Sequence, residues 1–154
     1  MQHFNLNIYM ILFIIIAVIA LLAVIVYVLY RIRHTRRPDA MDEMEGHDFE
    51  YFCADLLEKK GFLEVEVTRG SGDFGVDILA EKDGITYAIQ CKRYQGPVGV
   101  EAVLRTYGGR DYYERMVGVV MTNRYFTAPA VEAAKKLHIL LWDRGYLDSM
   151  LEEE

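Results

Sequence analysis

Residues 68–92 read Thr-Arg-Gly-Ser-Gly-Asp-Phe-Gly-Val-Asp-Ile-Leu-Ala-Glu-Lys-Asp-Gly-Ile-Thr-Tyr-Ala-Ile-Gln-Cys-Lys, and this stretch decides the fold. It opens with a glycine-rich turn at residues 70–75, and Val76 to Glu81 then has the composition of a short apolar strand. Lys82-Asp83-Gly84 predicts a tight hairpin turn, and Ile85 to Lys92 predicts the strand that pairs with the first. The stretch therefore predicts an antiparallel hairpin.

The flanking sequence extends this hairpin into a larger sheet. Apolar residues recur at helical spacing from Phe49 to Leu57, and an unbroken apolar run at Met116 to Thr122 predicts a strand buried on both faces. The predicted elements outside the hairpin are a helix at 47–60, a strand at 62–68, a helix at 98–114, a strand at 116–122, a helix at 127–138 and a strand at 139–142. Their order, α-β-β-β-α-β-α-β, predicts an α/β fold with a mixed sheet flanked by helices.

An apolar segment precedes this domain. Ile8 to Tyr30 is 23 residues long and carries no charge. As a helix it would be roughly 34 Å long, enough to cross a hydrocarbon core of about 30 Å. A cleaved signal peptide is the alternative, but Met1 to Asn7 lacks a basic residue, and Arg31-Ile32-Arg33 stands where a cleavage site would be expected. The segment predicts one uncleaved transmembrane helix.

The charges beside this segment predict its orientation. Four arginines follow the span and none precedes it: Arg31, Arg33, Arg36 and Arg37. The positive-inside rule then places the C-terminal domain in the cytoplasm, which predicts a single-pass protein of the cell membrane in contact with the lipid bilayer. Contact of these arginines with nucleic acid is the alternative.

The chain is accordingly divided into five parts: a short N-terminal segment at 1–7, the transmembrane helix at 8–30, a basic juxtamembrane segment and linker at 31–45, a catalytic domain at 46–148 and an acidic tail at 149–154. From Gly46 to Glu154 there are 13 Lys and Arg against 19 Asp and Glu, a formal charge of 13 − 19 = −6. This balance argues against a protein that coats nucleic acid, so contact with a polyanion must be local or metal-mediated. Arginines that follow the hairpin offer such a local track: Arg93, Arg105, Arg110, Arg115 and Arg124.

Chemistry concentrates on one face of the hairpin. Strand residues alternate between faces, so Gln90 and Lys92 point to the same side, away from Cys91. Asp77 lies on the preceding strand. A carboxylate and an amide oxygen suit a hard cation such as Mg²⁺, and a lysine beside them can stabilise charge on a phosphate.

Three further residues bear on this site. Glu50 on the first helix is a fourth candidate, with a solvated surface acid as the alternative, while Asp73 either joins the site or shapes the turn. The backbone carbonyl of Cys91 is a candidate third ligand. Cys53 and Cys91 lack metal-type spacing and are interpreted as reduced, buried thiols.

The residues that carry a family resemblance run through the whole domain. They are Phe49-Glu50-x-Phe52, Gly70-Ser71-Gly72-Asp73-x-Gly75-Val76-Asp77, Gln90-Cys91-Lys92-Arg93-Tyr94, Pro97-Val98-Gly99-Val100, Val119-Val120-Met121-Thr122-Asn123, and Phe126-Thr127 with Ala130. Together they resemble the Mrr-type restriction endonuclease catalytic domain over about residues 46–148.

The resemblance implies a restriction-endonuclease-like PD-(D/E)xK fold, DNA as partner and substrate, and Mg²⁺, or Mn²⁺ in its place, as cofactor. It makes Asp77, Gln90 and Lys92 the catalytic set, with Glu50 on the first helix, and Asp77, Gln90 and Glu50 the metal ligands. The second ligand is Gln90 where Glu is usual, as in the Gln-x-Lys branch of the family. A membrane span also stands where such an enzyme usually carries a DNA-recognition domain.

These observations predict a membrane-anchored, Mg²⁺-dependent DNA endonuclease with a restriction or DNA-processing role. Double-strand cleavage would call for two active sites and hence a homodimer. One alternative is a catalytically silent, membrane-tethered domain that binds nucleic acid or another partner. Another is a nuclease selective for branched or incoming DNA.

Overall fold

The computed structural model describes residues 14–27, 40–68 and 74–152, which fall into two units divided after Asp39. In the first unit, residues 14–27 form helix α1, and all its side chains are exposed. The predicted span at 8–30 extends beyond α1 at both ends, into residues outside the described ranges. Among the described residues, no helix combines the length and apolar character needed to cross a membrane.

The second unit is a five-stranded sheet with helices on both faces. Its helices are α2 (Ala40–Glu43), α3 (Gly46–Lys59), α4 (Val100–Tyr112), α5 (Ala128–Leu137) and α6 (Arg144–Glu152). Its strands are β1 (Leu63–Val67), β2 (Ile78–Lys82), β3 (Ile85–Lys92), β4 (Val117–Thr122) and β5 (Ile139–Trp142). The strands lie in sequence order, β1 to β3 antiparallel and β3 to β5 parallel. The predicted mixed sheet with flanking helices is confirmed.

The turn between β2 and β3 follows from its residues. Asp83 and Gly84 both adopt positive φ, 54° and 76°. A two-residue turn with both central residues in this region matches the twist of the two strands, and Asp-Gly is a favoured sequence for it. The turn fixes the register that pairs Ile78 with Ile89.

The two faces of the sheet bury different clusters. Ile89 and Val119 pack with α3 and α6 on one face, through residues such as Phe49 and Leu147. On the opposite face Val120 packs with α4 and α5. Because consecutive residues of β4 enter opposite clusters, the prediction of a strand buried on both faces is confirmed.

The ends of the domain differ from the sequence-based boundaries. The compact unit begins at Ala40, within the predicted linker, and Met41 of α2 is only 1% exposed. Helix α6 continues to Glu152, through residues assigned to the acidic tail, and its Met150 and Leu147 pack in the core. A few apolar side chains in each terminal segment pack against the core. They are too few to produce a periodic pattern that the sequence analysis could recognise.

Candidate functional site

Asp77 lies immediately before β2, one residue outside the strand in which the sequence placed it. Its N–H donates to the carbonyl of Ile89 over 2.8 Å, and its carbonyl accepts from the N–H of Thr68 over 2.9 Å. Both neighbouring strands thus hold its backbone. The side chain is 8% exposed, and its Oδ2 accepts a 2.7 Å hydrogen bond from the backbone N–H of Cys91.

This hydrogen bond has a clear origin in the sheet. The antiparallel register of β2 with β3 runs out at Ile78, so the N–H of Cys91 lies beyond the last pair of strand residues. A buried backbone donor needs a partner, and the Asp77 carboxylate takes the place of a strand carbonyl. The carboxylate is thereby oriented at the point where the two strands separate.

Gln90 is almost completely buried, at 1% exposure. Gln90 directly follows Ile89, whose carbonyl accepts from the N–H of Asp77, so both residues lie where the pairing of β2 with β3 stops. The Oε1 atom of Gln90 lies 3.4 Å from the hydroxyl of Thr106 on α4, longer than a strong hydroxyl hydrogen bond. The amide oxygen is therefore held toward α4 by a weak contact.

Lys92 ends β3 and is half-buried, paired with Thr122 of β4. Strand alternation places it on the same face as Gln90, while Ile89 and Cys91 enter the cluster under α3. The predicted division of β3 into two faces is confirmed by that packing. Asp77, Gln90 and Lys92 therefore all lie at the end of the hairpin opposite the Asp83-Gly84 turn.

Glu50 lies on α3. Its Oε2 lies 2.8 Å from Nδ1 of His47, one turn earlier. The pKa of the Cys91 thiol is raised well above its ordinary value by its hydrogen bond with Cys53, by burial, and by the negative charges of Cys53, Asp77 and Glu50. Both carboxylates thus act electrostatically on one buried thiol. Cys53 and Cys91 are free and buried, as predicted.

The oxygen donors at this end of the hairpin can be compared with the ligands that a divalent cation requires. Across the part of the chain that the structure describes, no group of three or more His, Cys, Asp and Glu residues is arranged to hold a metal. Asp77 nevertheless offers a carboxylate, whose Oδ2 accepts from Cys91, and Gln90 adds an amide oxygen. Mg²⁺ commonly takes one or two carboxylates and completes its shell with water and substrate phosphate. The donor set fits an ion held in that way.

Two glycines allow α4 to approach the segment that leads to Asp77. A Cβ on Gly109 would lie 2.5 Å from Cγ2 of Val76 and 2.7 Å from the carbonyl oxygen of Phe74. Gly75 has φ +79°, and a Cβ on it would lie 2.8 Å from Cβ of Arg105 on α4. Residue 109 of α4 is therefore a point of close approach to the segment before Asp77.

The glycine-rich turn itself falls largely outside the described residues. Residues 69–73, including Asp73, belong to that part of the chain, and the role of Asp73 stays a prediction. Sequence reasoning missed Asp42, which it assigned to the linker. Asp42 lies among residues that follow β3, β4 and β5. A short acidic segment with one apolar residue has no periodicity or motif that would predict this contact.

Comparison with known proteins identifies the family of the domain. Residues 41–151 match the sequence profile of the restriction endonuclease family of the Mrr catalytic type. The chain belongs to this family. No curated protein matches the chain.

Solved structures share the fold. A crystal structure of a protein of unknown function, AF1548, has a TM-score of 0.60 at 26% identity, over 70% of this chain and 66% of that one. The MspJI restriction endonuclease in complex with a 27-mer oligonucleotide has a TM-score of 0.53 at 21% identity, over 84% of this chain and 30% of that one. The DNA modification-dependent restriction endonuclease AspBHI has a TM-score of 0.53 at 20% identity, over 79% and 32%.

This Mrr-type chain therefore spans about a third of the two restriction endonucleases and just under two thirds of AF1548. Membership of the family indicates a nuclease domain that acts on DNA.

Proposed function

We propose that the protein is a Mg²⁺-dependent DNA endonuclease, anchored to the cell membrane by residues 8–30 with its catalytic domain in the cytoplasm. The observation that carries the catalytic part is the 2.7 Å hydrogen bond from the Cys91 amide to the Asp77 carboxylate. It orients a buried carboxylate at the open end of the hairpin, where β3 ends with Gln90 and Lys92. Family membership supplies the substrate class.

The chain's own residues divide the chemistry among them. Asp77 supplies the charged ligand, Gln90 a neutral oxygen, and Glu50 a second carboxylate from α3. Lys92 places a positive charge where negative charge develops on the phosphate during cleavage, which is where such a group lowers the barrier most. When bound, Mg²⁺ supplies Lewis acidity at the scissile phosphodiester.

Nicking of supercoiled plasmid by the full-length protein in detergent tests this proposal. We expect Mg²⁺-dependent nicking by the wild type and none by Asp77→Asn or Lys92→Ala. Cleavage that survives either substitution would overturn the assigned mechanism. Lys136→Gln is the control, because Lys136 is an exposed cation that pairs with Glu132 on α5.

A second candidate function is a silent DNA-binding domain. It is favoured by the finding that no three His, Cys, Asp and Glu residues in the described ranges form a metal site. Calorimetry with Mg²⁺ and Mn²⁺ separates the two functions. Binding that Asp77→Asn abolishes supports the nuclease, and a folded protein that binds DNA but neither cation supports the silent domain.

The membrane anchor is supported by α1 and its flanks. Its described side chains are apolar and exposed, for example Ile16 at 64% and Val26 at 65%, and an all-apolar helix requires an apolar environment. Two charges introduced as Leu21→Arg and Leu22→Arg should each oppose insertion by about 3 kcal/mol at mid-membrane. We expect carbonate extraction to release this double variant from the membrane fraction and to leave the wild type there. Retention of both the wild type and the variant would contradict the anchor.

A further inference from the structure

Asp42 stands at the edge of the sheet where three parallel strands end. Its Oδ1 accepts hydrogen bonds of 2.8 Å from Nδ2 of Asn123 and 2.8 Å from Nη1 of Arg144. Its Oδ2 lies 3.5 Å from Nη1 of Arg124. Arg93 donates to its backbone carbonyl. The Asp42 carboxylate therefore faces the guanidinium groups of Arg144 and Arg124, and the guanidinium of Arg93 contacts the Asp42 backbone carbonyl.

The position of this cluster connects it with the candidate active site. Arg93 directly follows Lys92, the end of β3. Lys92 pairs with Thr122 of β4, and Arg124 comes two residues later. In open sheets with parallel strands, ligands bind beyond the carboxyl ends of the strands. Arg93 and Arg124 thus lie just beyond the ends of β3 and β4, beside Lys92.

The two guanidinium groups that face Asp42 are held differently. The side chain of Arg144 is 7% exposed, and its Nη1 also donates to the carbonyl of Asn123 over 3.1 Å. Arg144 is therefore a buried structural contact. The side chain of Arg124 is 33% exposed, and its contact with Asp42 is long at 3.5 Å.

The backbone of Arg124 is fixed, and its guanidinium is held at Nε but only loosely at Nη1. Its N–H donates to the hydroxyl of Thr122 over 3.1 Å, and its carbonyl accepts from the N–H of Arg144 over 2.9 Å. Its Nε donates to the carbonyl of Tyr94 over 3.2 Å, which directs the side chain across the end of β3. A guanidinium aimed in this way, with its terminal nitrogens loosely held, suits a phosphate oxygen.

We propose that Arg124 is a DNA-backbone contact beside Lys92, and that Asp42 engages it in the free protein and so competes with the phosphate. This inference rests on the proposed DNA substrate and adds a phosphate subsite with its internal competitor. Met41 keeps α2 in the core, so removal of the Asp42 charge frees Arg124 without removing the helix. A simple salt bridge that fastens α2 to the sheet is the competing explanation.

Binding of a labelled DNA duplex tests the subsite. The parent is full-length Asp77→Asn in detergent with chelator, so that neither cleavage nor a metal contributes. Fluorescence anisotropy is measured over a range of salt concentrations for Asp42→Asn, Arg124→Gln, their combination and the control Lys136→Gln. Lys136 is 73% exposed and lies at the end of α5, before β5 begins, so its loss changes the charge equally at the other edge of the sheet.

The expected results distinguish a subsite from a general charge effect. Arg124→Gln should weaken binding about fivefold and lower the salt slope by about one ion, and Lys136→Gln should change neither. Asp42→Asn should tighten binding about fivefold, but only where Arg124 is present, because the two residues act on one contact.

Three results would overturn the proposal. In the first, Asp42→Asn does not tighten DNA binding. In the second, Asp42→Asn tightens binding by the same factor when Arg124 has been replaced by Gln. In the third, Arg124→Gln binds DNA as tightly as the parent does. Circular dichroism melts establish that each variant is folded, and Arg124→Gln tests the contact by itself should Asp42→Asn unfold. A parent that binds no DNA removes the proposed substrate as well, whereas a parent that binds DNA with no effect of these variants overturns the subsite alone.

Discussion

The Asp77 carboxylate accepts a 2.7 Å hydrogen bond from the backbone N–H of Cys91, at the point where β2 and β3 separate. One side chain therefore both completes the sheet and presents a charge at the candidate site. The two roles respond differently to substitution, because an amide can replace the hydrogen-bond acceptor but not the charge.

Asp77→Asn and Asp77→Ala separate these roles. Both should abolish nicking, since neither retains the anionic ligand. Asp77→Ala also leaves the buried N–H of Cys91 without its partner, which costs about 1–3 kcal/mol, whereas Asp77→Asn retains an acceptor. Thermal melts should show a clearly lower midpoint for Asp77→Ala than for Asp77→Asn. Equal midpoints would mean that the hydrogen bond contributes little to stability.

Gln90→Glu should make thermal stability depend more strongly on Mg²⁺. Without metal the new carboxylate is buried at a site of 1% exposure, at the same end of the hairpin as Asp77, and should lower the melting midpoint. With Mg²⁺ a charged ligand binds the cation better than a neutral amide. The measurement is the midpoint with and without Mg²⁺, and Gln95→Glu, at an exposed position, is the control. A Mg²⁺ response no larger than that of the wild type would argue against Gln90 as a ligand.

Gly109→Ala and Gly108→Ala form a matched pair on α4. The new Cβ at residue 109 would lie 2.5 Å from Val76 and 2.7 Å from the carbonyl of Phe74, so the segment before Asp77 must move. Nothing lies within 4 Å of a Cβ at residue 108. We expect Gly109→Ala to lose about 1–3 kcal/mol of stability and most of the nicking activity, and Gly108→Ala to be neutral or slightly stabilised by helix propensity. Denaturant unfolding and plasmid nicking check both variants, and similar behaviour of the two would contradict this account.

The contribution of Asp42 to the free energy of unfolding should depend on pH. Burial opposes its ionisation, but hydrogen bonds from Asn123 and Arg144 and the charges of Arg144 and Arg124 outweigh this, so its pKa lies below the ordinary 3.8. A lowered pKa means that the folded state binds the proton less readily than the unfolded state. The stabilisation is therefore complete above about pH 5 and is lost as the pH falls below 3.8 and through the folded-state pKa. The difference in free energy of unfolding between wild type and Asp42→Asn should be constant at neutral pH and shrink in that acid range, and a difference independent of pH would contradict the ion pairs.

The two thiols should be unreactive in the folded protein. A hydrogen bond with Cys53, burial and nearby negative charges raise the pKa of Cys91, so little thiolate is present. Alkylation at mildly alkaline pH, followed by mass spectrometry, should modify Cys53 and Cys91 only after denaturant is added. Rapid modification of the native protein would show that the region under α3 opens readily.

Much of the site is encoded locally. The Asp83-Gly84 turn sets the hairpin register, and alternation along β3 divides Gln90 and Lys92 from Cys91. Both follow from backbone geometry over a few residues, so a single sequence suffices to predict them. The family motifs lie on these same elements, and the profile match confirms the family.

Contacts between distant segments were decided only by the tertiary structure. Asp42 meets Asn123 and Arg144 across 81 and 102 residues of chain. The different surroundings of the adjacent Gly108 and Gly109 depend on which side of α4 meets Val76. The Asp77 carboxylate can accept from the N–H of Cys91 because β2 begins at Ile78, two residues later than its composition suggests. Periodicity and motifs report the local backbone, whereas these contacts depend on how finished elements pack, and no short window of sequence contains that information.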